Sequence, residues 1–297
     1  MTLQPGDSVH NRYRIVQLLL AAVLALSVGI WALWGRLNGT APSDPPAPTW
    51  TTDPTLGIGA TMVAEADGMV LVYVPAGEFT MGAADPDTSA DDDEKPAHTV
   101  YLDAFWIDRT EVTNAMYAGC VQAGACQVPR KPGSATRASY YPNPEFADYP
   151  VIYVAWDDAA AYCAWAGRRL PAEAEWEKAA RGVDGRRYPW GEGIGCERAN
   201  YGGCLGDSAA AGSYPGGASP YGALDMAGNV WEWVQDWYDA SYYDRSPDAN
   251  PPGPASGDGR VVRGGSWDSE VWDVRESYRD WSSPGYHYGY IGFRCAR

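Results

Sequence analysis

WDDAAAYCAWAGRRLPAEAEWEKAARG, residues 156–182, decides the fold, because it holds the two clearest helices of the chain. The first is Ala-rich, begins near Asp157 and stops at Gly167. The second begins at Pro171, whose fixed φ suits a first helical turn, and stops at Gly182. Glu173, Glu175 and Glu177 cluster at its start and Lys178 and Arg181 at its end, which complements the helix macrodipole. Upstream, MVLVYVPAGEFTMG (69–82) reads as a strand, a Pro-Ala-Gly turn and a second strand. HTVYLDAFWIDRTEVTN (98–114) reads as one or two further strands that enter a helix near Thr113 or Asn114, both good N-caps; that helix ends at Gly124. Downstream of Gly182 no helical or strand period persists, only Gly- and Trp-rich loops with short strands. The pattern predicts an α+β domain with low regular secondary structure and no internal repeat.

Composition agrees. The 297 residues include 14 Trp and 20 Tyr against 4 Phe, with 34 Gly and 23 Pro. Trp and Tyr carry a polar handle and suit irregular cores and wet binding surfaces. The net charge of −16 gives no basic stripe to displace counterions, so no nucleic acid is expected as a partner. Asp91, Asp92, Asp93 and Glu94 form an acidic run that reads as a solvated loop, with a cation site as the alternative.

Residues 15–35, IVQLLLAAVLALSVGIWALWG, are uncharged and span about 30 Å as a helix. Arg12 and Arg14 precede them, which favours a short cytoplasmic segment at 1–14, one transmembrane anchor at 15–35 and an exported body. A cleaved signal peptide is the competing reading, but no small-x-small site follows directly. The expected location is thus the cell membrane, single-pass, with the C-terminal domain extracytoplasmic. The start NRYRIVQLL resembles the first strand of bacterial serine/threonine kinases, without the Gly-rich loop that follows it there. Residues 36–60 read as a Pro/Thr-rich linker, and 61–297 as one folded domain. All six cysteines lie in that domain, an even number on the exported side, which suggests three disulfides. Fifteen pairings are open by count. Cys120 with Cys126 and Cys196 with Cys204 would close short loops, leaving Cys163 with Cys295. A zinc cluster is the poorer alternative, because there is no CxxC pair and only three His.

Several segments in order resemble the formylglycine-generating enzyme family, also called the sulfatase-modifying factor family. They are VPAGEFTMG (74–82), VTN (112–114), PVIYVAWDDAAAYCAWAGRRLPAEAEWEKAARG (150–182), YPWG (188–191), SPYGALDMAGNVWEW (219–233), RGGSW (263–267) and IGFRC (291–295). The resemblance implies a C-type-lectin-like fold and also implies the Cys163–Cys295 disulfide. It further implies a calcium in the DMAGNVWE loop, with Asp225 and Glu232 giving side chains and Gly228 and Val230 their carbonyls; hard cations want such oxygens. The competing reading pairs Glu232 with a buried Arg. A second calcium would begin at Asn200 and Tyr201, where the completing stretch is shortened and Asp207 is the substitute.

The family's enzymes oxidise a substrate cysteine on copper(I) held by two thiolates, ligands that suit this soft ion. Those thiolates belong shortly after RGGSW, yet the segment DSEVWDVRESYRDW has no Cys and is about three residues short, judged from Arg275 and Arg279. Ser266 and Trp231 match pocket positions, but no copper is expected. An iron-dependent branch, the sulfoxide synthases of ergothioneine synthesis, uses a HxxxHxE arrangement that His10, His98 and His287 do not form; His98 should lie beside a strand and His287 on the surface. Another branch consists of retroelement-diversified variable proteins, which display Tyr, Ser, Asp, His and Gly in their C-terminal stretch. Here that stretch offers Asp268, Ser269, Trp272, Asp273, Tyr278, Asp280, Ser282, Tyr286, His287, Tyr288 and Tyr290, a mixture that paratopes also use. Trp267 and Trp281 are expected in the core. The leading expectation is a non-catalytic domain that binds an extracytoplasmic protein, peptide or glycan. The alternative is a formylglycine-generating-type oxidase or another metal-dependent enzyme of the same family, or an enzyme of different chemistry using Glu232, Asp268, Asp273 or Arg279.

Overall fold

The computed structural model describes residues 56–84 and 88–297. The anchor expected at 15–35, the kinase-like start and most of the linker lie outside the described residues.

The strand, turn and second strand at 69–82 form as the turn chemistry dictates. Strands β2 (Val70–Val74) and β3 (Gly77–Met81) flank Pro75 and Ala76. They do not pair with each other. β2 lies between β1 (Thr61–Val63) and β5 (Phe105–Asp108) in one antiparallel sheet, and β3 pairs with β4 (His98–Leu102) in another. Thr113 caps helix α1 (Asn114–Gln122), its hydroxyl accepting from Met116 N at 3.4 Å. Helix α2 spans Trp156–Trp165 and α3 spans Glu173–Arg181, two residues later than Pro171 suggests, because Glu175 reaches back to cap Ala172 N at 2.8 Å.

The largest sheet carries the motifs of the second half. Its order is β8-β7-β6-β9, from β8 (Asp280–Ser282), β7 (Arg260–Arg263), β6 (Trp231–Trp237) and β9 (Ile291–Phe293). β6 and β9 run parallel and the other pairs antiparallel. The first four residues of β6 are all buried, so this central strand lacks the alternation of a half-exposed one. After β9, the chain end bridges from Ala296 to Ile107 and Arg169, which ties the large sheet to the first sheet and to the end of α2.

Several expectations about burial are corrected. The charges of α3, read from the sequence only as complementing the macrodipole, are all buried: Glu173, Glu175, Glu177, Lys178 and Arg181. Glu94 is also buried, at 0% exposure, at the end of a short 3-10 turn over Asp92–Glu94, while Asp91 and Asp92 stay exposed. Trp281 is 48% exposed, because β8 is an edge strand and the ring lies outside the core, over Tyr238. Trp267 is half-buried. His98 stands in β4 itself, and His287 is half-buried beside Asp158 at 3.5 Å.

The three disulfides are Cys120–Cys126, Cys163–Cys295 and Cys196–Cys204. The bond between Cys163 and Cys295 closes a separation of 132 residues, against 6 for Cys120 and Cys126. Replacing Cys163 and Cys295 by Ala should therefore cost about 5 kcal/mol, and replacing Cys120 and Cys126 about 2 kcal/mol, in a chain-entropy account. Urea unfolding measures both, and equal losses would contradict this ordering.

Candidate functional site

The C-terminal segment is built on a buried ionic frame. Gly264 and Gly265 of RGGSW take φ of 91° and 73°, and a Cβ on Gly264 would sit 2.8 Å from the Met226 carbonyl. This turn places Arg263 inside the domain, where it is fully buried. Its guanidinium pairs with Glu177 and donates to the carbonyls of Glu276, Ser277 and Tyr278. Arg275 then pairs with Glu94 in a two-point contact at 2.7 and 2.8 Å, and Ser277 Oγ donates to the same carboxylate. Arg279 pairs with Glu173 at 2.6 and 2.9 Å and covers the Tyr243 ring at 4.1 Å. Such planar two-point contacts fix orientation as well as charge.

This frame sorts the expected ligand residues. Ser269 and Ser282 are buried: Ser269 Oγ accepts from Ser266 N at 3.0 Å, and Ser282 pairs with Arg260 across β7 and β8. They serve the scaffold. Asp268 is exposed, as are Trp272 at 52% and Tyr286 at 56%. Asp273, Tyr278, Asp280, His287, Tyr288 and Tyr290 are half-buried. Tyr278 tilts over Trp231, Tyr288 stacks on Tyr290 at 5.0 Å, and Tyr286 meets Tyr288 edge-on. Four residues outside the expected ligand set join this surface. Tyr238 stacks under Trp281 and donates to Asp93, and Tyr153 N bonds the Tyr288 carbonyl. Only the Tyr and Trp richness hinted at them.

Burial pushes the Asp93, Asp273 and Asp280 carboxyls above their ordinary range, with neighbouring carboxylates adding to the effect. Half of the alternative enzyme set is not free for acid–base work. Glu232 and Arg279 are buried and already paired, Glu232 with Arg294 at 2.6 Å and with Trp176 Nε1 at 2.8 Å. Asp268 and Asp273 remain.

The calcium loop shows mixed signs. Glu232 does pair with a buried Arg. Yet Glu111, Asp225 and Glu232 are three buried carboxylates around one guanidinium, Arg294. Burial pushes Asp225 up to about 6, and Glu111 lies well above its ordinary value, from burial and then from Asp225 and Glu232. Glu111 Oε2 has no hydrogen-bond donor. That surplus of acid fits a cation. Among the described residues no group of three or more His, Cys, Asp or Glu converges as metal ligands, so an ion would lean on the carbonyls of Gly228 and Val230. The second expected site fits poorly. Asp207 Oδ2 accepts from Ser134 Oγ and from Thr136 N and Oγ1, and faces Arg137 at 3.1 Å. Burial works against its charge, but these hydrogen bonds hold the carboxyl below its usual range. Asn200 Oδ1 alone is left without a partner there. The copper donor set does not fit either, since all six cysteines are disulfide-bonded.

A small-sheet α+β domain closed by RGGSW and GFRC motifs defines a class of protein. The comparisons name it: residues 59–297 match the family described as "Sulfatase-modifying factor enzyme 1-like domain", and the chain belongs to that family. It is 37% identical over 279 residues to a formylglycine-generating enzyme of Streptomyces coelicolor, covering 76% of this chain and 88% of that one. It is also 37% identical to the serine/threonine-protein kinase pkn1 of Chlamydia caviae, over 76% of this chain but 38% of the kinase's length. Among solved structures, PvdO from Pseudomonas aeruginosa matches with a TM-score of 0.69 and 29% identity, over 82% of this chain and 99% of that one. Treponema denticola variable protein 1 matches with a TM-score of 0.64 and 25% identity, over 80% and 98%.

The raised carboxyls set a pH dependence. Asp108 is pushed up to about 7 and Asp225 up to about 6, both by burial. The folded chain then holds protons that the unfolded chain has released, so stability falls as pH rises between about 4 and 7. Glu94 and Glu173 act oppositely. Burial opposes their charge, but Arg275 and Arg279 keep them below the usual range, and their contribution is lost as pH falls through about 4. Melting temperature without added metal should peak at about pH 4, and Asp225→Asn should flatten the fall above it by on the order of 3 kcal/mol. A maximum at neutral pH, or an unchanged upper limb in the variant, would contradict the assignment.

Proposed function

We propose that this chain is a non-catalytic, ligand-binding member of its family, held at the cell membrane by residues 15–35 with the folded domain outside the cytoplasm. The observation that carries the reading is a donor set. The domain keeps the family frame from VPAGEFTMG to IGFRC, but every cysteine is spent in a disulfide, so no thiolate pair is left for copper(I). In its place the C-terminal segment displays Trp272, Trp281 and Tyr286 beside half-buried Tyr and Asp side chains. Large rings on a rigid base give contact area at low entropy cost. The likeness to a Treponema variable protein supports the reading of this segment as one that is diversified among relatives. The ligand class is an extracytoplasmic protein, peptide or glycan.

Calcium belongs to this reading as a structural ion. Asp225 and the carbonyls of Gly228 and Val230 would hold it, with Glu232 and the unsatisfied Glu111 nearby. It would supply positive charge that lets Asp225 and Glu111 ionise together, and would brace the turn into β6.

The structure changes which substitutions are informative. Tyr288 and Tyr290 pack against the core, whereas Trp272 and Tyr286 are exposed. Pull-down and glycan-array screening of the full chain should yield a ligand that Trp272→Ala with Tyr286→Ala abolishes without lowering the melting temperature. Chelating calcium should weaken capture through lost stability. A ligand that is retained in full by the double variant would contradict this location.

A further inference from the structure

We infer that the displayed aromatic surface recognises a basic, Lys- or Arg-bearing peptide segment of a partner protein. This rests on the ligand-binding reading above and names the ligand's chemistry. Three of the large exposed hydrophobic side chains, Trp272, Trp281 and Tyr286, fall within one segment, and folding has covered none of them. The charge displayed with them has one sign. Both arginines of the segment, Arg275 and Arg279, are buried, at 2% and 3% exposure, and are neutralised inside by Glu94 and Glu173. The acids face the other way: Asp268 and Glu270 are exposed, and Asp273 and Asp280 are half-buried.

Rings and acids interleave. Asp273, Asp280 and Asp93 lie within electrostatic reach of Tyr278, and Asp280 and Asp268 within reach of Tyr290. Asp93 accepts the Tyr238 hydroxyl under the exposed Trp281 ring. An incoming ammonium or guanidinium meets a ring face and a carboxylate together, the pairing that favours cations at desolvated sites. An anionic glycan or acidic peptide meets the carboxylates unfavourably, with Lys131 over the Tyr153 ring the cation at the margin. The half-buried acids also gain most from such a guest, because it restores a charge that burial disfavours.

The test uses the full chain in neutral detergent and a fluorescent octapeptide alternating Arg and Ser, with a Glu–Ser counterpart, read by anisotropy. The Arg–Ser peptide should bind and the Glu–Ser peptide should not. Asp268→Asn with Asp273→Asn and Asp280→Asn should weaken binding about tenfold or more, and so should Trp272→Ala with Trp281→Ala. Three exposed acids elsewhere, changed as Glu65→Gln, Glu78→Gln and Glu145→Gln, control for the net charge and should change binding little. Equal weakening by the two acid triples would overturn the proposal, since binding would then follow overall charge alone. So would a ligand from the screen that is lost with Trp272 and Tyr286 yet indifferent to the Asp triple. That second result would leave the binding reading standing and remove only the basic-peptide assignment.

Discussion

The fold depends on the two carboxylates that α3 holds inside the protein. Glu173 and Glu177 are at 1% and 0% exposure, and each meets an arginine from the far end of the chain, Arg279 and Arg263. A lone carboxylate in such a place would neutralise or expel itself. With its partner it becomes a pin that holds two distant segments at fixed orientation. Replacing such a pair by apolar side chains is often neutral for stability, whereas removing one partner is costly. The arrangement therefore fixes geometry more than it adds stability. Through Arg263 the pin reaches the carbonyls of Glu276, Ser277 and Tyr278, so the backbone between the two exposed stretches of the C-terminal segment is held rigidly.

A rigid base allows the flanking side chains to differ without loss of fold. Val274, Arg275, Glu276, Ser277 and Arg279 are buried, while Asp268, Glu270, Trp272, Trp281 and Tyr286 are exposed. The division falls residue by residue and not by loop. Ser269 and Ser282 illustrate it: both look like paratope residues, and both serve the scaffold. A domain of this construction keeps its shape while its surface chemistry changes, which is what a binding protein needs and what an enzyme with fixed metal ligands does not.

Much of this was legible in the sequence, and what was not shares one cause. Helix ends at Gly124, Gly167 and Gly182, the Thr113 cap and the strand–turn–strand at 69–82 follow from local rules that a few neighbouring residues carry. The three disulfides follow from count, spacing and family resemblance. The ionic core was hidden because its partners are remote: Glu94 and Arg275 are 181 residues apart, and Glu173 and Arg279 are 106 apart. An acid on a helix looks like a solvated acid until its arginine is placed. The same blindness put Trp281 in the core, since nothing local marks β8 as an edge strand.

The central claim of the proposal is that the C-terminal segment lacks a thiolate pair for copper(I) and serves recognition instead. The most direct measurement loads the purified full chain with copper(I), determines bound metal, and follows oxygen consumption with a cysteine-containing sulfatase peptide. The account predicts no stoichiometric copper and no peptide-dependent oxygen uptake. One tightly held copper per chain with turnover of the peptide thiol would contradict it.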